Sequence, residues 1–185
     1  MIPLVIALFV LAGVLTYFGI LYNGLVALRN NVDKAWANID VLLKQRRDEL
    51  PRLLDVCQGY MQYERETLTR VTEARAEFAA AATVAQKAQA SSTVSMSLRQ
   101  LFASAENYPQ LQANQTFLRL QNRISELENE IADRREFYND AINLFNTRIQ
   151  QMPDSVAASL AAMRPLPMFR ATLAEKAPVS VTIPR

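Results

Sequence analysis

The first fifty residues constrain this chain more than any other stretch. Residues 2–28 contain no Asp, Glu, Lys or Arg. Within them, residues 4–22 make about 19 residues of apolar sequence, or ~28 Å of helix at ~1.5 Å per residue, which crosses a hydrocarbon core. A cleaved signal peptide would carry a basic segment ahead of the run and a small-x-small site behind it. Here only Met1, Ile2 and Pro3 precede it, and no clear site follows. The expectation is a retained anchor over residues 1–22, with Tyr17 and Tyr22 toward its inner boundary, where aromatic rings favour the interface. The first basic residues after the span are Arg29, Lys34, Lys44, Arg46 and Arg47. Their bias expects the N-terminus outside and the bulk of the chain in the cytoplasm.

Past the span, Leu25, Leu28, Val32, Ala35, Ile39 and Leu42 step by three and four, as on a heptad seam that faces partner helices in a coiled-coil manner. Trp36 sits beside that seam and reads as packing or as a partner-binding residue. Pro51 lacks an N–H and disfavours helix before it, so a tight turn is expected over residues 45–51, with a second helix from Pro51. A kink in one longer helix is the alternative. The second helix would carry Leu54, Cys57, Met61, Leu68, Val71 and Phe78 on one face. The Ala-rich residues 79–90 can continue it. Ser91-Ser92-Thr93 reads as a turn with N-cap chemistry. A third helix follows with Val94, Leu98, Leu101, Phe102 and Ala105, ended by Asn107-Tyr108-Pro109.

The strongest periodic signal is Phe117, Leu120, Ile124, Leu127, Ile131, Tyr138, Ala141 and Phe145. Arg134 fills the gap in it, either reaching solvent along its stem or pairing with Glu64 or Glu66. Beyond Gln151 the prolines forbid a long helix. Residues 156–163 can make two turns, Leu166, Met168 and Phe169 form a small apolar cluster, and residues 177–185 are expected to be extended or disordered. The expected architecture is all-α: a transmembrane helix over residues 1–22 continuous with an up-and-down four-helix bundle over 23–152, then a Pro-containing irregular tail over 153–185.

The chemistry is mostly one of absences. The 185 residues include no His and one Cys, Cys57, and carry a net charge of +2. Without His, the Glu-x-x-His metal sites of helical bundles cannot be built. Glu126, Glu128, Glu130 and Asp133 alternate with Arg123, Arg134 and Arg135, as on a solvated face laced with ion pairs. Cys57 has no Cys or His near it in sequence and reads as a small buried hydrophobe. The near-neutral charge and sparse basic–aromatic interleaving give no reason to expect nucleic acid. No catalytic, cofactor-binding or metal-ligating residue is expected.

Several blocks together resemble the LemA family of bacterial membrane-anchored helical proteins. They are Tyr22-Asn23, Leu25-Val26, Arg29-Asn30, Ala35-Trp36, Asn38-Ile39-Asp40-Val41, Leu43-Lys44, Arg46-Arg47-Asp48-Glu49-Leu50-Pro51, Val71 to Arg75, Tyr108-Pro109 with Leu111, Ala113-Asn114, Ile131-Ala132, Arg135, Tyr138-Asn139, Asn146 and Pro153. The likeness covers roughly residues 20–155. It departs at Tyr63-Glu64, where the family usually has His-Glu, and at residues 163–169, which replace a Gly-containing aromatic segment. The resemblance implies a single N-terminal anchor in the bacterial inner membrane and a cytoplasmic four-helix bundle, in a family with no established catalytic activity. The expected function is a non-enzymatic membrane-tethered scaffold that forms homo-oligomers or organises partners. The alternative is an adaptor or accessory subunit of a membrane enzyme or signalling complex. It would bind through the surface near Trp36 or through Leu166, Met168 and Phe169.

Overall fold

A computed structural model describes residues 1–169. Among them there are six helices and no strand: α1 (Ile2–Gln58), α2 (Arg65–Ala80), α3 (Val84–Ala105), α4 (Pro109–Gln112), α5 (Gln115–Arg148) and α6 (Asp154–Leu160). The protein is therefore all-α. The expectation for residues 177–185 lies outside the described residues. The chain divides into two compact units, one of Met1–Ile39 with Arg134–Met168 (unit 1), the other of Asp40–Asp133 with Phe169 (unit 2).

The first correction is at Pro51. There is no turn over residues 45–51: α1 is one helix of 57 residues with Pro51 inside it. The proline removes one backbone hydrogen bond and crowds the preceding turn, at a cost of ~3 kcal/mol. The buried seam, however, stays in phase across it. Leu43, Arg46 and Leu50 lie before the proline, and Leu53, Leu54 and Cys57 after it, all buried. The two leucines alone recover about 3–6 kcal/mol by leaving water, so the helix continues. It stops at Gly59, where Tyr60 and Met61 both donate their N–H groups to the Cys57 carbonyl, at 3.0 and 2.8 Å. The seam also shifts register. Leu25, Val32 and Ile39 are buried as expected, but Leu43 takes the place expected for Leu42.

In unit 2, α2 buries Leu68, Val71, Ala74 and Phe78 and packs on α3. The Ala-rich stretch does not run through. It breaks at residues 81–83, where Thr83 and Gln86 form a reciprocal capping box. Gln86 Oε1 accepts the Ala82 and Thr83 N–H groups at 3.1 and 3.0 Å, and Thr83 Oγ1 accepts that of Gln86 at 3.2 Å.

The second correction is the serine tract. Ser91, Ser92 and Thr93 are not a turn but lie inside α3, with both serines fully buried. Their hydroxyls turn back on the helix: Ser92 Oγ donates to the Ala88 carbonyl at 3.2 Å and Thr93 Oγ1 to that of Gln89 at 3.3 Å. The expected face of α3 holds at Val94, Leu98, Leu101 and Ala105. Phe102 is half-buried and meets Phe117 edge-on at 6.4 Å. Pro109 opens α4 at its first turn. Asn114 then starts α5, its Oδ1 accepting the Thr116 and Phe117 N–H groups at 2.9 and 3.1 Å.

α5 keeps its periodicity for 34 residues. Phe117, Ile124, Leu127, Ile131, Tyr138 and Phe145 are buried, joined by Ile142 rather than Ala141, and Ile149 just past the helix is buried as well. Arg134 is exposed and lies over the Phe137 ring at 5.7 Å. Glu66 instead holds Arg70 at 2.5 Å, and Glu64 accepts the Tyr108 hydroxyl at 3.4 Å.

Candidate functional site

The span itself is the most distinctive surface. α1 contains a window of 18 residues with a mean hydropathy of 2.6, none of it buried within the chain, which is long and apolar enough to cross a membrane. Among residues 2–24 not one side chain is buried, and Leu25 is the first that is. Burial therefore begins about one turn beyond Tyr22.

The polar centre of unit 2 is built on Arg46, which comes from the middle of α1 and is 1% exposed. α3 supplies Ser91 and Ser95, one helical turn apart, and α5 supplies Glu128. The guanidinium donates from Nη1 to Ser95 Oγ at 3.0 Å and to Glu128 Oε1, and from Nη2 to Ser91 Oγ at 2.9 Å and the Ser91 carbonyl at 3.3 Å. Ser95 Oγ lies 2.7 Å from Glu128 Oε2. Three helices are thus joined at one buried charge. Glu128 does not belong to the solvated face expected for helix four, and Arg46 does not belong to a turn.

The space lined by Leu43, Arg46, Leu50, Arg75, Phe78 and Val94 holds no cavity large enough for a water. A hydroxyl beside a carboxylate is the beginning of a nucleophile–base pair. Here, however, Glu128 is committed to Arg46, and Ser95 is buried. The arrangement has a structural consequence. A buried charge satisfied by groups from three helices fixes their register, because any slip leaves it unpaired.

A second polar group stands at Asp40, which takes Lys44 and Lys87 at 2.6 Å each. Burial alone would raise its pKa, but hydrogen bonds and charge from the two lysines outweigh this and leave it below the usual carboxylate value. Arg148 grips Asp154 with Nε and Nη2 at 2.8 and 3.1 Å, and the Asp154 carboxylate raises the arginine pKa further. Burial pushes the Cys57 thiol up to about 12, so it is protonated and inert at neutral pH. Among the described residues no group of three or more His, Cys, Asp or Glu is arranged to hold a metal.

The residues proposed for partner binding are partly used within the chain. Trp36 is half-buried and packs on Tyr138 with ring centroids 5.7 Å apart. Burial, and then the negative charge of Asp33, raise the Tyr138 pKa. Leu166, Met168 and Phe169 do not make one exposed cluster: Leu166 is half-buried, Met168 exposed and Phe169 buried. The Leu166 main chain is tied to the Asn146 side chain through both its N–H and its carbonyl, at 2.8 and 2.9 Å. Tyr63, at the usual histidine position of the resembled family, is 92% exposed. A groove of about 420 Å³ lies nearby, lined by Gln58, Met61, Gln62, Arg65, Leu68 and Thr69. The Arg46 site escaped sequence reasoning, since an arginine in a charged block reads as solvated. The one available signal was its position three residues after Leu43 and four before Leu50, in phase with the seam.

Comparison with known proteins agrees with the residue blocks. The LemA family model matches residues 35–183. The chain is 28% identical over 165 residues to Protein LemA of Metamycoplasma hominis, covering 86% of this chain and 74% of that protein. A match over most of the chain, on a wholly helical fold headed by an apolar span, establishes that this protein belongs to the LemA family.

Proposed function

We propose that this protein is a non-enzymatic, membrane-tethered scaffold. In this reading residues 1–22 are anchored in the bacterial inner membrane, the N-terminus is outside, and the helical part, the bundle over 23–152, is cytoplasmic. The observation that carries the reading is α1 itself. One helix of 57 residues runs from an uncovered apolar span into packed structure without a linker. A chain joined to the bilayer through continuous helix has its angle to the membrane set, whereas a flexible linker leaves that angle free.

Self-assembly is the mode of organisation we favour. α5 exposes Phe137 and Leu144, one heptad apart, at 62% and 52%. Two large apolar side chains on one exposed stripe suit packing against a second copy. The adaptor reading relies on Trp36 and the Leu166–Phe169 segment, and both are already engaged in internal contacts. A photo-crosslinking residue at Phe137, introduced in cells, tests the scaffold. The reading expects a crosslinked product of twice the chain mass. It fails if the product always contains a different protein, or if detergent extracts scatter light as a monomer at every concentration.

A further inference from the structure

Unit 1 ends in a segment whose side chains face the wrong way for a helix packed in water. α6 buries Asp154, Ala157 and Ala158. It exposes Val156 and Leu160, and Met152 just ahead of it is exposed as well. A spacing of four puts Val156 and Leu160 on one stripe of α6, and Met152 stands exposed in the turn that leads into it. The small side chains point inward and the large apolar ones outward, the reverse of the usual amphipathic arrangement. The stripe also lacks charge. Across residues 149–163 the one ionisable side chain is Asp154, and Arg148 neutralises it from the last turn of α5.

The segment follows the end of α5 within unit 1. Both of its flanks are tied to the end of α5, through Arg148 to Asp154 and through Asn146 to Leu166. In unit 1, α1 buries Leu25, Val32 and Ile39, and the other segment of the unit is residues 134–168. Trp36 meets Tyr138. Leu25 lies about 16 Å along α1 from Trp36, and Ile149 lies about 16 Å along α5 from Tyr138 at the helical rise. A parallel α5 would leave Leu25 uncovered. Antiparallel, it brings Ile149 level with Leu25, the first buried residue of α1, and α6 follows directly in the chain, held at Asp154 by Arg148.

We propose that Met152, Val156 and Leu160 form a second membrane contact, with α6 lying in the boundary between headgroups and acyl chains beside the emerging α1. This rests on the reading of residues 1–22 as a membrane span. The occupant is the lipid surface because the stripe is uncharged and follows Ile149, which stands level with Leu25, where burial on α1 begins and the apolar span ends. A short apolar helix of this kind sinks about 5–10 Å into that boundary. Three side chains offer far less area than the roughly 1,200 Å² of a stable protein interface. Two attachments, a span and a surface helix, fix the rotation of unit 1 about α1 as well as its tilt.

The test places an environment-sensitive fluorophore on Leu160→Cys in the full-length protein. The protein is reconstituted in vesicles of phosphatidylethanolamine and phosphatidylglycerol. Quenching by lipids spin-labelled at the headgroup or along the acyl chain is compared with quenching by aqueous iodide. Leu11→Cys reports the span, Glu136→Cys reports water, and the parent protein with its buried Cys57 sets the background. The proposal expects a blue-shifted Leu160 probe, quenched by shallow lipid labels and protected from iodide, with Leu11 quenched by deep labels. An iodide-accessible Leu160 probe beside a lipid-embedded Leu11 probe overturns the proposal and leaves the span intact. Both probes in water overturn the two readings together. A Leu160 probe shielded from iodide and lipid alike overturns it in favour of a second copy covering the stripe.

Discussion

Removing the carboxylate that neutralises Arg46 is the most informative change to the packed part of the protein. Glu128→Ala leaves a guanidinium 1% exposed, with hydrogen bonds to Ser91 and Ser95 but no counter-charge. Breaking a buried pair by deleting one partner costs about 3–5 kcal/mol. Two features lower that figure here. The Glu128 side chain is 29% exposed, so water already screens part of the interaction, and neutral acceptors remain on Arg46. The expected loss is about 2–3 kcal/mol, which for a chain of this size lowers Tm by about 4–12 °C. Thermal and urea unfolding of the full chain in mild detergent at pH 7, followed by far-ultraviolet circular dichroism, reads it. Glu130→Ala, two residues along α5 and exposed, should change stability by less than ~0.5 kcal/mol. Replacing the pair, Arg46→Met with Glu128→Leu, should recover most of the loss, because no charge is then buried. The reasoning is refuted if Glu128→Ala matches Glu130→Ala, or if the double substitution is no more stable than Glu128→Ala alone.

Three further outcomes follow from the geometry. Asp40 has a folded pKa below its unfolded value, so its contribution is present above about pH 4 and lost as pH falls through the folded pKa. Asp40→Asn should therefore be less stable at pH 7 and lose less between about pH 4 and 2, as measured by urea midpoints across that range. The Cys57 thiol, pushed up to about 12 by burial, should react with iodoacetamide at pH 8 on the order of a thousandfold more slowly than an ordinary thiol, and at the ordinary rate once urea unfolds the chain. Mass spectrometry of the time course checks both rates. Ala162 ends α6 with φ at +51° while Met163 donates its N–H to the Ala158 carbonyl at 2.9 Å. A side chain in that left-handed cap costs ~1 kcal/mol, so Ala162→Gly should raise stability by about 0.5–1 kcal/mol in chemical unfolding.

Long periodic stretches were legible in the sequence, because burial on one face repeats there many times. Phe117 through Phe145 on α5 and Leu25 through Ile39 on α1 are such cases, and the apolar span needs only its lack of charge. Local signals misled where tertiary burial outweighs them. Pro51 predicts a stop, yet Leu53 and Leu54 beyond it bury enough surface to carry the helix through. Ser91 and Ser92 resemble a turn because their hydroxyls compete for the backbone. In α3 the same hydroxyls are buried, and that of Ser91 serves Arg46. Thr83 and Gln86 had the capping-box spacing in plain view, masked by the alanines on either side. The Arg46–Glu128 pair could not be read at all. The two residues lie 82 positions apart, and each sits among other charges.

The central claim is that the apolar span passes into packed structure as unbroken helix. Spin labels at Tyr17→Cys and Asn38→Cys, with Cys57 replaced by Ala, test it by pulsed dipolar spectroscopy in lipid nanodiscs. Both positions are exposed, and they are separated by about 21 residues of one helix, or ~32 Å at the helical rise. The account predicts a single narrow distance distribution near that value. A broad distribution, or one centred well below it, would mean a hinge between bilayer and packed structure and would contradict the account.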